Sequence, residues 1–150
     1  MTDYTIRRVE QTDRRQWDGL YQAYADFYRV AQTSAMRDTV WAWLHDDSRE
    51  TSGLVAEAAD GTLLGLAHFR PFARPLSATT GGFLDDLFVD PEARGRGVAD
   101  ALIRRIEAIA KEKGWSVVRW ITADNNYRGR GVYDRLATRT NWITYDIKIE

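Results

Sequence analysis

The stretch from Leu87 to Ala99 reads LFVDPEARGRGVA, and the fold prediction starts from it. An apolar, strand-like run ends at Asp90-Pro91, because proline lacks the N–H that a sheet ladder needs. Two glycines follow, and glycine lets the backbone take a positive φ and approach a ligand closely. The helix pattern after them adds free N–H groups and the positive end of a helix dipole. This strand–turn–helix unit therefore predicts a cradle for a pyrophosphate.

Two other phosphate-binding motifs do not fit this stretch. A P-loop requires a Gly-Lys-Ser/Thr triplet, which the sequence does not contain. A Rossmann fingerprint lies near the first strand and requires a third glycine, where this chain has Asp100, two-thirds along its length. A plain strand-to-helix turn carrying Arg94 and Arg96 on its surface stays open as an alternative.

Further strand and helix patterns flank this unit on both sides. Before it, the patterns predict a strand over Tyr4–Val9, helices over Arg14–Val30 and from Ser34, strands over Leu54–Ala58 and Thr62–Phe69, a loop over Arg70–Gly82 and a strand over Phe83–Val89. After it, they predict a helix over Val98–Lys113, a strand over Ser116–Thr122, a helix over Tyr127–Ala137 and a strand over Trp142–Ile149.

The order of these elements predicts the fold class. Hairpins dominate the first half, with Asp60-Gly61 as the strongest turn signal. The later strand–helix–strand unit requires a parallel crossover. We therefore expect an α/β protein (α+β in some schemes), with a mixed, largely antiparallel central sheet flanked by helices, as a single domain over residues 1–150.

Composition limits the class of protein and its partners. With 150 residues, 44% of them hydrophobic and 29% charged, the chain is the size of one globular domain. A net charge of −1 gives no general attraction to nucleic acid or to an anionic membrane. The absence of cysteine excludes disulfides and thiolate chemistry, and two histidines disfavour a histidine-rich metal site.

The sequence has no targeting or membrane pattern. The N-terminus, beginning with Met1 and Thr2, has no basic region followed by an apolar run. No stretch approaches the roughly 18 apolar residues of a membrane span. These features predict a cytoplasmic protein.

The residues of the 87–99 stretch resemble the acetyl-CoA-binding core of the GNAT superfamily of N-acetyltransferases, in particular its small diamine- and histone-type members. The family signature is Arg/Gln-x-x-Gly-x-Gly/Ala, and Arg94, Gly97 and Ala99 match it in register. The order of elements agrees over nearly the whole chain. The resemblance implies the GNAT fold and an enzyme that moves the acetyl group of acetyl-CoA, without a metal, to a primary amine.

The resemblance also implies the cofactor contacts. The pantetheine arm would pair with the main chain of a strand, and the pyrophosphate would lie on the following amides, with added charge from arginine. In this sequence those residues are Leu87, Phe88 and Val89 for the strand, and Arg94, Gly95, Arg96, Gly97, Val98, Ala99 and Asp100 for the cradle.

A second family motif, Asn-x-x-Ala-x-x-x-Tyr, is similar to the segment that follows the 116–122 strand. Asn126 and Tyr133 match it, and Gly129 stands where alanine or serine is commoner. By resemblance, Asn126 binds the pantetheine region and Tyr133 lies beside the cofactor sulfur as a catalytic acid. A tyrosine packed in the core is the alternative.

The adjacent carboxylates Asp85 and Asp86 precede the cofactor strand, as acidic residues do in diamine acetyltransferases. Adjacent strand residues point to opposite faces, so at most one is expected to reach a given pocket. An alkylammonium has a pKa of about 10.4, and exposing its lone pair at pH 7 costs roughly 4.6 kcal/mol. We expect Asp85 to act as the catalytic base, directly or through water, and Asp86 to contact the substrate. A solvated carboxylate pair is the alternative.

The acceptor is the least defined part of the prediction. Tyr24 and Tyr28, on the aromatic stripe of the first helix, would suit a cationic amine, although they would equally suit a core. Without cysteine, the amine is expected to attack the thioester directly in a ternary complex. A small amine, a polyamine or a lysine side chain fits. An acetyl-CoA-binding module without catalysis is the alternative, and an RNA-binding protein is disfavoured by the balanced charge.

The sequence also predicts a homodimer. The terminal strand places Ile143, Tyr145, Ile147 and Ile149 on one face. Left unpaired, such a strand exposes a sheet edge, and two-fold dimers are the commonest solution.

Overall fold

The structure is a computed structural model that describes residues 3–150, and Met1 and Thr2 of the N-terminal prediction lie outside the described residues. The elements are β1 (Tyr4–Arg8), α1 (Arg14–Phe27), α2 (Ser34–Leu44), β2 (Ser52–Ala58), β3 (Leu63–Arg74), β4 (Thr79–Val89), α3 (Val98–Lys113), β5 (Val118–Arg119) and α4 (Tyr127–Leu136). Single 3-10 turns lie at Gln11–Asp13, Pro75–Ser77 and Pro91–Ala93.

The five strands form one sheet in the order of the chain, β1-β2-β3-β4-β5. The first four strands pair antiparallel, and β5 pairs parallel to β4 after the crossover through α3. The predicted mixed, largely antiparallel sheet flanked by helices is confirmed. At the Asp60-Gly61 turn, Ala58 and Thr62 are hydrogen-bonded and Gly61 has a φ of 88°, as a tight hairpin requires.

Two apolar layers lie on opposite faces of the sheet. On one face, α3 packs Val98, Leu102 and Ile106 against the strands. On the other, α1 and α2 contribute Trp17 and Trp41, whose rings lie 4.9 Å apart. The helices therefore cover both faces, and the ends of α1 and α3 come to β4 from opposite sides.

The loop predicted over residues 70–82 is wrong. Those residues extend the β3–β4 hairpin, with Pro71 paired to Gly82. Proline is tolerated there because β2 stops pairing with β3 at Phe69. Beyond that point β3 has a single neighbour among the described residues, so the missing N–H of Pro71 lies at an edge.

Two predictions in the C-terminal part also differ from the structure. The strand predicted over 116–122 is reduced to β5, whose Val118 and Arg119 pair with β4. Just before it, the Ser116 N–H donates to the Thr80 carbonyl and the Val117 carbonyl accepts from the Gly82 N–H. The strand predicted over 142–149 does not form, and residues 137–150 are exposed and outside any helix or strand. Alternation of side chains is not sufficient for a strand, because a ladder also needs a partner strand, and none within residues 3–150 pairs with this segment.

In the part of the chain that the structure describes, every helix is too short or too polar to cross a membrane.

Candidate active site

A β-bulge in β4 determines the geometry of the carboxylates. His68 pairs with Asp86, but Phe69 pairs with Leu84, so Asp85 is an extra residue in β4. An extra residue breaks the alternation of side chains along a strand. Leu84 and Phe88 are four residues apart, yet they belong to the apolar layers on opposite faces.

The expectation that at most one of Asp85 and Asp86 reaches a given pocket is therefore wrong. Both carboxylates line one cavity of about 540 Å³ on the α1–α2 face of the sheet. The bulge brings them there together, because it shifts the alternation by one residue between them. The other residues of this first cavity are Tyr21, Val40, Trp43, Ser48, Arg49, Glu50, Thr51, His68 and Arg70.

Asp86 is held by a network of neutral hydrogen-bond donors. Its Oδ2 lies 2.8 Å from Nδ1 of His68 and accepts from the Tyr21 hydroxyl at 2.9 Å. The indole Nε1 of Trp17 donates to Nε2 of His68 over 3.0 Å. Because an indole N–H can only donate, Nε2 is the accepting nitrogen, and the ring proton lies on Nδ1. His68 is therefore a neutral donor to Asp86, and the carboxylate keeps its negative charge.

The two carboxylates differ in pKa. Burial acts to raise the pKa of Asp86, but its contact with His68 and the hydrogen bonds from the Tyr21 and Tyr24 hydroxyls outweigh it and hold the pKa below its ordinary value. Burial raises the pKa of Asp85, although its ion pair with Arg70, 3.0 Å long, acts in the opposite direction. Asp86 is thus the stable anion, and Asp85 is the carboxylate that takes up a proton more readily.

A second cavity, of about 330 Å³, lies where β4 runs into α3. Gly95 and Gly97 have φ angles of 82° and 75°, which place the backbone in the left-handed region and expose its amides. No side chain caps the start of α3, so its first amides remain free for an anion. This cavity is lined by Phe27, Tyr28, Leu87, Phe88, Val89, Ala93, Arg94, Gly95, Gly97, Val98, Ala99, Asp100, Asn126, Arg128, Gly129, Val132, Tyr133 and Arg135.

The edge of β4 beside this second cavity is open. β5 pairs with Gly82 and Phe83 and then diverges, so among the described residues no strand pairs with the other edge of Leu87–Val89. Free main-chain groups on such an edge can accept an extended ligand as an added strand does.

The second cavity brings together all but one of the predicted cofactor contacts. The exception is Arg96, whose guanidinium lies 2.5 Å from the Asp3 carboxylate and whose carbonyl accepts from the Tyr4 hydroxyl. Its side chain is held at the N-terminal strand and is not among the residues that line the cavity. The phosphate contact through this side chain stays a prediction, and the ion pair with Asp3 directs the guanidinium toward the start of β1.

Asn126 and Gly129 form the start of α4. The Asn126 side chain accepts from the Gly129 N–H at 3.3 Å and donates to the Thr122 hydroxyl at 2.9 Å. A Cβ at position 129 would lie 2.5 Å from Nδ2 of Asn126. A larger side chain at this position would therefore have to displace the Asn126 side chain from the cap.

Tyr133 and Tyr28, which directly follows α1, complete the second cavity. Tyr133 packs edge-on against Trp120 with ring centroids 5.4 Å apart. Burial, and to a smaller degree Tyr28, raises the pKa of Tyr133 to about 12, so its hydroxyl keeps its proton at neutral pH. Tyr28 lines the second cavity, and Tyr24 lies between Tyr28, at 5.1 Å, and Phe88, at 6.0 Å.

Sequence reasoning missed the polar network behind Asp86. His68, Tyr21 and Trp17 were not predicted as site residues, although the single polar residue in LLGLAHF is a histidine in a buried strand. That pattern indicates a buried polar contact, but the pairing of His68 with Asp86 depends on the register of the bulged strand.

Among residues 3–150, no cluster of three His, Asp or Glu side chains is placed to hold a metal ion.

The chain is similar in sequence to known acetyltransferases. The Acetyltransferase (GNAT) family pattern matches residues 17–137. The chain is 26% identical over 141 residues to the D-amino-acid N-acetyltransferase of Saccharomyces cerevisiae, with 93% of this chain and 88% of that protein covered. It is 36% identical over 112 residues to the aminoglycoside N(6')-acetyltransferase type 1 of Klebsiella aerogenes, with coverage of 73% and 72%.

Solved structures show the same fold. The structure of AAC(6')-Iy in complex with the bisubstrate analogue CoA-S-monomethyl-acetylneamine superposes with a TM-score of 0.81 at 23% identity. The superposition covers 97% of this chain and 98% of that one.

Proposed function

This chain belongs to the GNAT family of acetyltransferases, and we propose that it transfers the acetyl group of acetyl-CoA to a small cationic amine by direct attack in a ternary complex. The observation that carries the proposal is the pair of cavities along one strand segment, residues 85–89. One cavity presents a buried carboxylate, and the other presents a free strand edge and a helix start.

The second cavity fits the parts of coenzyme A. Coenzyme A is elongated, and the amides of its pantetheine arm would need a free main-chain edge. Leu87–Val89 has such an open edge. The pyrophosphate of coenzyme A would need amides and positive charge. The start of α3 supplies the amides, and Arg94 and Arg128 supply the charge. Acetyl-CoA supplies the activated acetyl group as a thioester.

The first cavity fits an ammonium group. It is lined by three carboxylates, Glu50, Asp85 and Asp86, and by two arginines, Arg49 and Arg70, which leaves one negative charge in excess. Arg70 is paired with Asp85, and the donors to Asp86 that the structure resolves are neutral. Asp86 therefore attracts a cation without a competing guanidinium bonded to it.

The reaction moves two protons and one acetyl group. An N–C bond forms between the amine nitrogen and the acetyl carbon, and the C–S bond breaks. The ammonium gives up two protons, one to the sulfur of CoA and one to solvent. Asp85, through a water molecule, accepts the proton that frees the amine lone pair and passes it to solvent. The Tyr133 hydroxyl donates its proton to sulfur as the C–S bond breaks, and the second proton from nitrogen restores that hydroxyl.

Curated relatives support a small-molecule acceptor. Their names specify D-amino acids and aminoglycosides, each of which is a small molecule with an amine. A lysine side chain in a protein or a polyamine remains within the proposal. The homodimer and the cytoplasmic location are predictions from the sequence.

The test is a screen of amines with acetyl-CoA that follows release of free thiol. D-amino acids, diamines, aminoglycosides and a lysine peptide represent the acceptor classes. Amine-dependent release identifies the enzyme and its class. Binding of acetyl-CoA without release for any amine would instead identify a binding module of the same fold.

Substitution of Asp86 is expected to change KM for the amine, and substitution of Asp85 is expected to change kcat. Asp86→Asn keeps an oxygen for the hydrogen bonds of His68 and Tyr21 but removes the charge, so KM for the amine should rise about tenfold, or about 1.4 kcal/mol, with little change in kcat. Asp85→Asn should lower kcat about tenfold, less than a base in direct contact with the amine.

The pH dependence distinguishes these roles. The Asp85→Asn deficit should shrink as pH rises toward the pKa of the free amine, about 10.4, because more of the amine arrives unprotonated. The rise in KM for Asp86→Asn should also become smaller as pH rises. Equal losses in kcat and KM for both variants at every pH would show that neither carboxylate has its assigned role.

A further inference from the structure

His68 is a buried titratable side chain that takes no part in the proposed transfer of the acetyl group. It lies on β3, and its exposed fraction is 1%. A histidine ring has three states, which are two neutral tautomers with the proton on either nitrogen and an imidazolium with a proton on both. The state of this ring affects Asp86 directly, because Oδ2 of the carboxylate lies 2.8 Å from Nδ1 of the ring.

Each state of the His68 ring would act differently on the Asp86 carboxylate. With its proton on Nδ1, the ring donates to the carboxylate and adds no charge. With its proton on Nε2, the lone pair of Nδ1 would face the carboxylate oxygen and repel it. The imidazolium would donate to the carboxylate and also offset its negative charge, so an incoming ammonium group would meet a pair with no net charge.

Trp17 selects among these states because its indole nitrogen can donate a hydrogen bond but cannot accept one. Its Nε1 lies 3.0 Å from Nε2 of His68, so a proton on Nε2 would place two donors against each other. That contact disfavours both the other neutral tautomer and the imidazolium. The indole is held in place, because Trp17 is itself 1% exposed and its ring packs 4.9 Å from that of Trp41.

The other charged and titratable groups around His68 and Asp86 come from every element packed around them. They are Arg14, Tyr21 and Tyr24 on α1, His45, Arg49 and Glu50 at and after the end of α2, Arg70 on β3 and Asp85 on β4. On β2, the residue paired with His68 is Gly53. Among residues 3–150, only Asp86 and Trp17 bond to the ring nitrogens of His68. Trp17 is therefore the contact that determines where the ring proton lies.

We propose that Trp17 and His68 are positioning residues for the acceptor: the indole N–H keeps the imidazole neutral and donating to Asp86, so that the carboxylate meets a cationic amine with its full negative charge. Trp17 acts from a distance, since it is not among the residues that line either cavity. Without the indole N–H, the ring would take up a second proton as pH falls, and the affinity for an ammonium group would fall with it. The effect on the amine rests on the proposed function, whereas the state of the ring does not depend on acetyl transfer.

Nitrogen NMR of the histidine rings measures the state of His68 without any substrate. In the unaltered chain, His68 should carry its proton on Nδ1 alone across about pH 6 to 8, within the range in which histidine side chains change charge. His45→Gln assigns the signals, because the chain has two histidines. Trp17→Phe keeps an aromatic ring but removes the N–H, so His68 should gain a second ring proton as pH falls. A proton on Nε2 in the unaltered chain within this range would overturn the proposal.

Steady-state kinetics measures the effect on the acceptor. For Trp17→Phe, the ratio of KM for the amine to that of the unaltered chain should rise to about tenfold as pH falls from about 8 to about 6, with little change in kcat. An alkylammonium stays protonated throughout this range, so its own titration does not produce the trend. The matched control is Trp41→Phe, which removes an indole from the same cluster but no hydrogen bond to His68, and it should leave KM unchanged.

A double variant, Trp17→Phe with His68→Gln, identifies the group that titrates. Glutamine can donate to Asp86 but cannot take up a second proton near neutral pH, so the pH dependence of KM should disappear. A rise in KM for Trp17→Phe that is the same at every pH, or that Trp41→Phe shares, would indicate lost packing alone and would overturn the proposal. Failure of every amine to be acetylated would contradict the proposed function, whereas the NMR measurement would still support or overturn the assigned state of the ring.

Discussion

Tyr133→Phe should lower kcat by about 10²- to 10⁴-fold, or roughly 3 to 5 kcal/mol of activation free energy, while the affinity for acetyl-CoA stays nearly unchanged. The substitution removes a single oxygen, so the edge-on contact of the ring with Trp120 remains. With the pKa of Tyr133 at about 12, the hydroxyl holds a proton that it can donate at any pH near neutral. Steady-state kinetics on the best amine, together with a binding titration, measure both quantities.

The matched control is Tyr127→Phe, on the same helix. Tyr127 is 75% exposed and is not among the residues that line the second cavity, so its hydroxyl should not affect kcat. A melting curve for each variant separates a loss of activity from a loss of stability. If Tyr133→Phe changes kcat by less than about threefold while bond breaking limits the rate, then the sulfur receives its proton from water or from the ammonium.

Local signals explain the parts of the fold that the sequence predicts well. The α3 helix has the same bounds, Val98–Lys113, in the prediction and in the structure. Both of its ends are determined by a glycine with a positive φ, Gly97 at 75° and Gly114 at 74°, and such signals need no knowledge of the rest of the chain. The strand, turn and helix of the predicted cradle are predictable for the same reason, because they are contiguous in the sequence.

The first cavity is harder to predict because its geometry depends on pairing between distant residues. Whether Asp85 and Asp86 share a cavity depends on a bulge opposite His68 and Phe69, and nothing within β4 itself specifies that register. The Trp17–His68–Asp86 chain joins α1 to the β3–β4 hairpin across 51 residues of sequence. Arg96 shows the same dependence, since its direction is determined by an ion pair with Asp3, 93 residues away in the sequence.

The cofactor site has an equally sharp test in α3. Ala99→Trp should weaken acetyl-CoA binding at least about 100-fold, or about 2.8 kcal/mol. Ala99 lies in the first turn of α3 and lines the second cavity, so an indole there would occupy the space above the free amides. Unlike Gly95 and Gly97, whose positive φ would strain any side chain, Ala99 is helical and accepts a larger residue without backbone cost.

The matched control is Ala108→Trp, the same substitution on the same helix. Ala108 is exposed and is not among the residues that line the second cavity, so calorimetry should give an unchanged affinity for acetyl-CoA. Both variants should melt near the temperature of the unaltered chain, because neither replaces a buried residue. Should Ala99→Trp bind acetyl-CoA as tightly as Ala108→Trp, the pyrophosphate does not lie at the start of α3. The assignment of Gly95 through Asp100 as its cradle would then have to be abandoned, whatever the enzyme's activity.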